Sequence, residues 1–252
     1  STMRLSEYDF SQIDLSRFAD VPDGLDLRTA SFDELTYALN KRSAEIACAA
    51  REVYKTEPEY DGRPLFVVGS IGPSNRVLSK TDANLRVSTF EAIGENFYQQ
   101  VVGLIDGGTD VILFETQQDI LELKAAIVGA RRALADKGVN LPIMAQVTVD
   151  QFSKMQIFNT DIHAALLTIQ DIGVDVFGIN CSIGPDLIAK TVETLSHYSK
   201  LPISVIPNAG LPVSEAGRTV YKFTPEAMAK HHAHFVSELG VNIVGGCCGT
   251  GP

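Results

Sequence analysis

The residues best suited to chemistry are three cysteines. Cys247 and Cys248 are adjacent in the glycine-rich segment 245–251 (GGCCGTG), and Cys181 lies in the segment 178–182 (GINCS). Successive side chains of a strand point to opposite faces, so two adjacent thiols reach one point only where a glycine-rich turn bends the backbone. Three thiolates suit a zinc ion and leave its fourth tetrahedral position open, which is typical of a catalytic zinc site.

The same cysteines admit other interpretations. They can be small buried hydrophobic residues, the role that best fits the fourth cysteine, Cys48, in an alanine-rich helical stretch. A glycine-rich turn can also cradle a phosphate, but GGCCGTG has neither the lysine of a P-loop nor the GxGxxG spacing. A third alternative is a different barrel enzyme, either a thiol-dependent aldolase or a redox protein that uses Cys247 and Cys248.

Two further polar residues follow predicted strands. Glu115 ends the stretch DVILFE, where its carboxylate can bind a substrate ammonium group or form a salt bridge at the rim of the sheet. Asn208, in PNAG, can donate a hydrogen bond to a substrate or shape a turn. The histidines His231, His232 and His234 lie on the last predicted helix and are expected to be solvated surface residues.

Short apolar strands alternate with amphipathic helices along the chain, which is the pattern of βαβ units in a parallel sheet. The first turn of the second helix has a capping-box spacing from Ser88 to Glu91. The chemically distinctive residues follow the carboxyl ends of their strands, the active-site face of a (β/α)8 barrel or the ligand crevice of a doubly wound sheet. Six such units favour the barrel. The strands are predicted at 65–70, 110–114, 143–149, 175–181, 203–207 and 242–246, and the helices at 32–55, 88–105, 120–134, 159–172, 185–199 and 224–239.

Composition excludes several classes of protein. The 252 residues carry a net charge of −10, which disfavours binding to nucleic acid. No apolar run is long enough to span a membrane, and no secretion signal is recognised. Four cysteines are too few for a disulfide scaffold, so we expect a reduced, cytoplasmic protein.

The sequence resembles the zinc-dependent homocysteine S-methyltransferase family, most closely its cobalamin-dependent methionine synthase branch. The resemblance implies a (β/α)8 TIM barrel in which Cys181, Cys247 and Cys248 bind Zn²⁺ and Glu115 contacts the amino group of homocysteine. The matching segments are 69–76 (GSIGPSNR), 114–116 (FET), 119–126 (DILELKAA), 178–185 (GINCSIGP), 207–212 (PNAGLP) and 241–250 (VNIVGGCCGT).

The chain also departs from that family. Six strands are recognised rather than eight, and the family's first two strands and last helix have no counterpart here. The loop 151–160 (QFSKMQIFNT) lacks the glycines that the family usually carries after its fifth strand. We therefore expect residues 1–252 to be a single homocysteine-binding barrel domain, a segment of a longer multi-module chain.

The function implied by the resemblance is zinc-dependent methyl transfer to the thiol of homocysteine, which yields methionine. The expected donor is methylcobalamin held by another module, with cobalamin-binding and methyltetrahydrofolate-binding modules as partners in the same chain or in trans. Two alternatives stay open: a homocysteine methyltransferase that uses betaine or S-methylmethionine, and a non-catalytic remnant that binds zinc without substrate.

Overall fold

The computed structural model of the chain describes residues 30–74, 76, 78 and 88–251. Helices and strands alternate through most of this part of the chain. The helices are α1 (Phe32–Tyr54), α2 (Phe90–Asp106), α3 (Ile120–Lys137), α4 (Ile162–Ile172), α5 (Pro185–Tyr198) and α6 (Pro225–Leu239). The strands are β1 (Val68–Ile71), β2 (Val111–Gln117), β3 (Ile143–Val147), β4 (Val176–Cys181), β5 (Ile203–Pro207), β6 (Val213–Glu215), β7 (Arg218–Val220) and β8 (Ile243–Val244).

Six strands form one sheet in the order β1-β2-β3-β4-β5-β8, and every neighbouring pair is parallel. The sheet curls into half of a barrel with helices on its outer side. All six predicted strands are present, and the prediction of an α/β fold of the TIM-barrel type is confirmed. Because parallel strands run in one direction, their carboxyl ends share one rim, and the polar residues predicted there come together.

The core lies between the outer face of the sheet and the helices. Ile112, Phe114 and Val205 have no exposed surface, and the ring of Phe97 from α2 packs edge-on against Phe114 with centroids 5.6 Å apart. Helices α2 and α3 approach so closely that a Cβ on Gly129 would lie 2.3 Å from the carbonyl oxygen of Gly94. This packing makes the outer layer a rigid support for the strand ends.

The inner face of the sheet is more polar than the apolar strands suggest. Gln146 on β3 and Ser204 on β5 are both buried, and the side-chain amide of Gln146 donates a hydrogen bond to the Ser204 hydroxyl at 2.7 Å. Strand β4, which ends in Cys181, lies between β3 and β5, so this hydrogen bond spans β4. None of the described helices combines the length and the apolar character that crossing a bilayer requires.

Several local predictions need correction. The N-cap of α2 is Thr89, whose hydroxyl accepts from the N–H of Ala92, so the capping box expected from Ser88 to Glu91 is wrong. Helix α4 begins at Ile162 after the N-cap Asp161, because residues 151–160 form a compact loop instead of a first helical turn. The antiparallel hairpin β6–β7 was not predicted.

The loop after β3 adopts left-handed backbone conformations at residues other than glycine. Ser153 and Asn159 adopt left-handed backbone conformations, with φ of 63° and 53°. Asn tolerates this region better than most residues, and Ser153 is held by a hydrogen bond between its hydroxyl and that of Thr191 at 2.7 Å. Residues 1–29, where the absence of the family's first two strands would be judged in part, and the Asn75 position of the matched segment 69–76 lie outside the described residues.

Candidate metal centre

Three cysteine thiols converge at the carboxyl rim of the sheet. The Sγ atom of Cys248 lies 4.0 Å from that of Cys181 and 4.0 Å from that of Cys247, and all three atoms lie within 4.8 Å of one another. A tetrahedral zinc ion with Zn–S bonds of about 2.3 Å requires sulfur atoms about 3.8 Å apart. The donor set and its spacing therefore fit a zinc ion after shifts of less than an ångström.

Cys181 is presented by an unusual turn at the end of β4. Cys181 and Ser182 both have left-handed backbones, with φ of 65° and 67°, although neither is glycine. Such conformations cost roughly 1–3 kcal/mol each and persist where the surroundings impose them. Here the Ile183 N–H donates to the Cys181 carbonyl at 3.0 Å, and the side chain of Gln156 donates to the Ser182 hydroxyl at 2.8 Å.

The vicinal cysteines are held by the loop that follows β5. The Cys247 N–H donates to the carbonyl of Pro207 at 2.8 Å, and the Cys248 carbonyl accepts from the N–H of Ala209 at 2.9 Å. Asn208 lies between these two residues, and its Oδ1 atom accepts from the Cys248 N–H at 3.0 Å. Asn208 is 4 % exposed, so this contact is shielded from water. The Asn208 side chain contacts the cysteines, and its contact with substrate stays a prediction.

A tyrosine that the sequence did not indicate completes the surroundings of the thiols. The ring of Tyr221, which directly follows β7, packs on the cysteine loop so closely that a Cβ on Gly249 would lie 2.2 Å from it. Gly249 also has a φ of 80°, so both the space and the backbone require glycine there. Burial raises the pKa of the Tyr221 hydroxyl, and the charge of the Cys248 thiolate adds to that effect.

The thiols influence one another strongly in the absence of a cation. A hydrogen bond from the Cys247 thiol, with help from the Ser182 N–H, lowers the pKa of Cys181 to about 5 even though burial opposes this shift. The same hydrogen bond to Cys181, together with burial, raises the pKa of Cys247. One proton therefore leaves the cluster readily and the next is retained, so a divalent cation is needed to hold all three as thiolates.

Glu115 lies on the same rim, on β2. Its side chain is half-buried, and the hydroxyl of Ser70 on the neighbouring strand β1 donates a hydrogen bond to Oε1. The hydrogen bond orients the carboxylate through one of its two oxygen atoms. A carboxylate and a group of three thiols on one strand rim can bind a small molecule that carries both an ammonium group and a sulfur atom.

Two residues that the sequence did not single out connect these parts of the site. The side chain of Asn180, the residue before Cys181, hydrogen-bonds to both the backbone N–H and the hydroxyl of Thr116, the residue after Glu115. Asn180 was visible in the GINCS segment, but its partner is 64 residues away and no local pattern identifies it.

The remaining candidates lie away from the thiols. The Cys48 side chain on α1 contacts the Gly108 carbonyl at 3.2 Å and is not part of the thiol cluster. On α6, His234 is exposed as expected, but His231 and His232 are half-buried and only in part surface residues. The ring of His232 lies 3.0 Å from the sulfur of Met228, and burial lowers its pKa. Within the described ranges, the thiol cluster contains no histidine.

The chain is similar to known homocysteine methyltransferases and methionine synthases. The family model described as homocysteine S-methyltransferase matches residues 18–252. The methionine synthase of Mycobacterium tuberculosis is 40 % identical over 190 residues, which are 75 % of this chain and 15 % of that protein. The chain thus spans about a seventh of the curated relative.

Solved structures show the same fold. The homocysteine methyltransferase MmuM from Escherichia coli in its apo form has a TM-score of 0.65 at 23 % identity, over 90 % of this chain and 71 % of that one. Its metallated form has a TM-score of 0.64 at 24 % identity, over 85 % and 67 % of the two chains. Since the family model covers nearly the whole chain, the chain belongs to the homocysteine S-methyltransferase family.

Proposed function

We propose that this chain is the homocysteine-binding domain of a methionine synthase, and that it supports methyl transfer from methylcobalamin to the thiol of homocysteine. The observation that carries the proposal is the convergence of the Cys181, Cys247 and Cys248 thiols on one strand rim with Glu115. The two halves of the site match the two ends of homocysteine, a thiol and an ammonium group.

The three cysteines are the residues that would hold a zinc ion, since their sulfur atoms lie within 4.8 Å of one another. When bound, zinc lowers the pKa of a thiol that joins the three cysteines, so that the thiol loses its proton at neutral pH. The backbone N–H groups of Cys248 and Cys247 donate hydrogen bonds to the Asn208 side chain and the Pro207 carbonyl, and these bonds keep two of the ligands in place as the substrate arrives.

The protein residues supply binding and orientation. The Glu115 carboxylate accepts a hydrogen bond from the ammonium group of homocysteine, and the Ser70 hydroxyl fixes the direction of that carboxylate. In the transfer, the substrate sulfur forms a bond to the methyl carbon while the bond from that carbon to the donor breaks, and its electron pair stays with the donor. The reaction gains most from holding the two reacting centres in line.

The assignment to methionine synthase rests on the identity with the mycobacterial protein, of which this chain covers 15 %. We propose that residues 1–252 act as one barrel domain within a longer protein whose other modules bind cobalamin and methyltetrahydrofolate. We also place the protein in the cytoplasm, where reducing conditions keep the three thiols available for a metal.

The metal content of the chain tests the first part of the proposal. The wild-type chain, purified under reducing conditions, should contain about one zinc ion, and Cys247→Ser should lose it. Cys48→Ser is the matched control, because Cys48 lies on α1 outside the cluster and should leave the zinc content unchanged. A Cys247→Ser variant with full zinc content would contradict the site.

The methyl donor is tested separately. Homocysteine is mixed with the zinc-loaded chain and with methylcobalamin, betaine or S-methylmethionine, and methionine is measured by mass spectrometry. Methionine from methylcobalamin alone supports the proposal. Methionine from betaine or S-methylmethionine contradicts the assignment of methylcobalamin as the donor. A zinc-loaded chain that does not bind homocysteine in a calorimetric titration would be the non-catalytic remnant.

A further inference from the structure

Strand β2 contains a bulge where it carries Glu115. It pairs with β3 in register as far as Phe114 and Ala145, and pairing resumes at Gln117 and Val147. Three steps along β2 therefore match two along β3, which places one extra residue in β2. A bulge of this kind re-aims the side chains beside it, so the direction of the Glu115 carboxylate depends on the bulge.

The extra residue is in a conformation that its side chain disfavours. Thr116 has a φ of 57°, in the left-handed region that β-branched residues rarely adopt. Glycine is the usual occupant of such a position in a bulge. Something other than local preference must therefore hold Thr116 in place.

Asn180 holds it at two points. Its Oδ1 atom accepts from the Thr116 N–H at 2.7 Å, and its Nδ2 atom donates to the Thr116 hydroxyl at 2.8 Å. The two residues come from β4 and β2, which are separated by β3, so the contact spans a strand. It is therefore a tertiary clamp and not part of the sheet ladder.

Asn180 is itself buried and held by further contacts. It is 3 % exposed, its carbonyl accepts from the Thr148 hydroxyl at 2.8 Å, and its backbone pairs with Ile206 on β5. The next residue along β4 is Cys181. Asn180 thus links Cys181, its neighbour in the chain, to Thr116, the residue that follows Glu115.

We propose that Asn180 is a positioning residue that sets the separation between the thiol cluster and the Glu115 carboxylate, and thereby selects amino-thiol substrates by the length between sulfur and ammonium. This inference rests on the proposed function, since it assigns the thiols to the sulfur end of the substrate and Glu115 to the ammonium end. It goes beyond that function by naming the residue that discriminates homocysteine from cysteine, which is one methylene shorter.

The test compares affinities of the zinc-loaded chain for homocysteine and for cysteine by calorimetric titration. In Asn180→Ala, we expect homocysteine to bind at least about tenfold more weakly and the preference for homocysteine over cysteine to fall severalfold, with zinc content unchanged. Thr116→Val, which loses one of the two hydrogen bonds, should show a smaller change in the same direction. Thr116→Ser keeps the hydroxyl and both hydrogen bonds, so it should retain the wild-type preference.

Asn40→Ala is the matched control, because Asn40 is also a fully buried asparagine but lies on α1 away from the rim. It should lower the melting temperature without changing the ratio of the two affinities. A merely structural role for Asn180 would give the same result as this control.

The outcomes separate the two proposals. A wild-type chain that holds zinc but binds no homocysteine contradicts the proposed function, and the inference falls with it. A wild-type chain that prefers homocysteine, together with an Asn180→Ala chain that keeps zinc and the same preference, overturns the positioning role alone. If Asn180→Ala does not fold, an unchanged preference in Thr116→Val overturns it equally.

Discussion

The Oδ1 atom of Asn208 accepts a hydrogen bond from the backbone N–H of Cys248 at 3.0 Å, and this contact ties the end of β5 to the cysteine loop after β8. The two residues are 40 positions apart, and the bond lies beside the thiol cluster. The position of Cys248 therefore depends on the end of β5 as well as on the glycine-rich turn that contains Cys248.

Removing this bond should weaken metal binding. Asn208→Ala leaves the Cys248 N–H without its acceptor, and loss of a contact that supports a metal ligand typically lowers metal affinity about 10–100-fold. Asn208→Asp keeps an acceptor at the same position and serves as the control. Zinc affinity is measured by competition with a chromophoric chelator, and equal affinities for the wild type and Asn208→Ala would contradict the role of the bond.

Glu115 should control substrate affinity without affecting the metal. Glu115→Gln removes the charge that would pair with the ammonium group, and a hydrogen bond to a charged partner contributes about 1.5–3 kcal/mol, or roughly 10–150-fold in affinity. Homocysteine binding is measured by calorimetry on zinc-loaded protein. Glu91→Gln, an exposed residue in the first turn of α2, is the control. Unchanged binding in Glu115→Gln would remove Glu115 from the site.

Gly178 should be essential for the fold of the rim. A Cβ at this position would lie 2.0 Å from the carbonyl oxygen of Ser204, so Gly178→Ala must push β4 away from β5. Overpacking against backbone should lower the free energy of unfolding by about 3 kcal/mol, the upper end of the usual range for overpacking. Gly251→Ala is the control, since among the described residues no atom beyond its chain neighbours lies within 4 Å of its added Cβ. Urea denaturation with equal midpoints for both variants would refute the clash.

In the metal-free chain, thiol reactivity should depend on position. The pKa of Cys181 is lowered to about 5, so above that pH Cys181 is mostly thiolate, whereas the raised pKa of Cys247 keeps it protonated. At about pH 6.5 an ordinary thiol is only about 1 % ionised. Brief treatment with iodoacetamide should therefore label Cys181 before Cys247, as read by peptide mass spectrometry. The order should disappear when zinc is added, and faster labelling of Cys247 would contradict the assignment.

Zinc should also stabilise the folded chain. A metal that binds only the native state raises its stability by about 4 kcal/mol at a free concentration 1,000 times the dissociation constant. The melting temperature of the wild type should rise with added zinc and fall after treatment with a chelator. Cys247→Ser should show neither change, and an equal response of both proteins would place the bound metal elsewhere.

The sequence alone was enough to predict the parallel strands and the meeting of the thiols at one rim. Six apolar stretches separated by amphipathic helices can form parallel strands, and parallel strands bring their carboxyl ends to one rim. Because Cys181 and the pair Cys247 and Cys248 each follow such an end, their convergence could be inferred from position in the chain. The glycines around the pair indicated that the backbone there could turn.

The tertiary structure alone decided how the site is held. The clamp between Asn180 and Thr116, the bond from Cys248 to Asn208 and the packing of Tyr221 on Gly249 join residues that are far apart in the chain. Local propensity argues against a left-handed Thr116, and only a distant hydrogen-bonding partner reverses that preference. Local pattern therefore determined which residues reach the rim, whereas contacts between residues far apart in the chain determined how their side chains are held there.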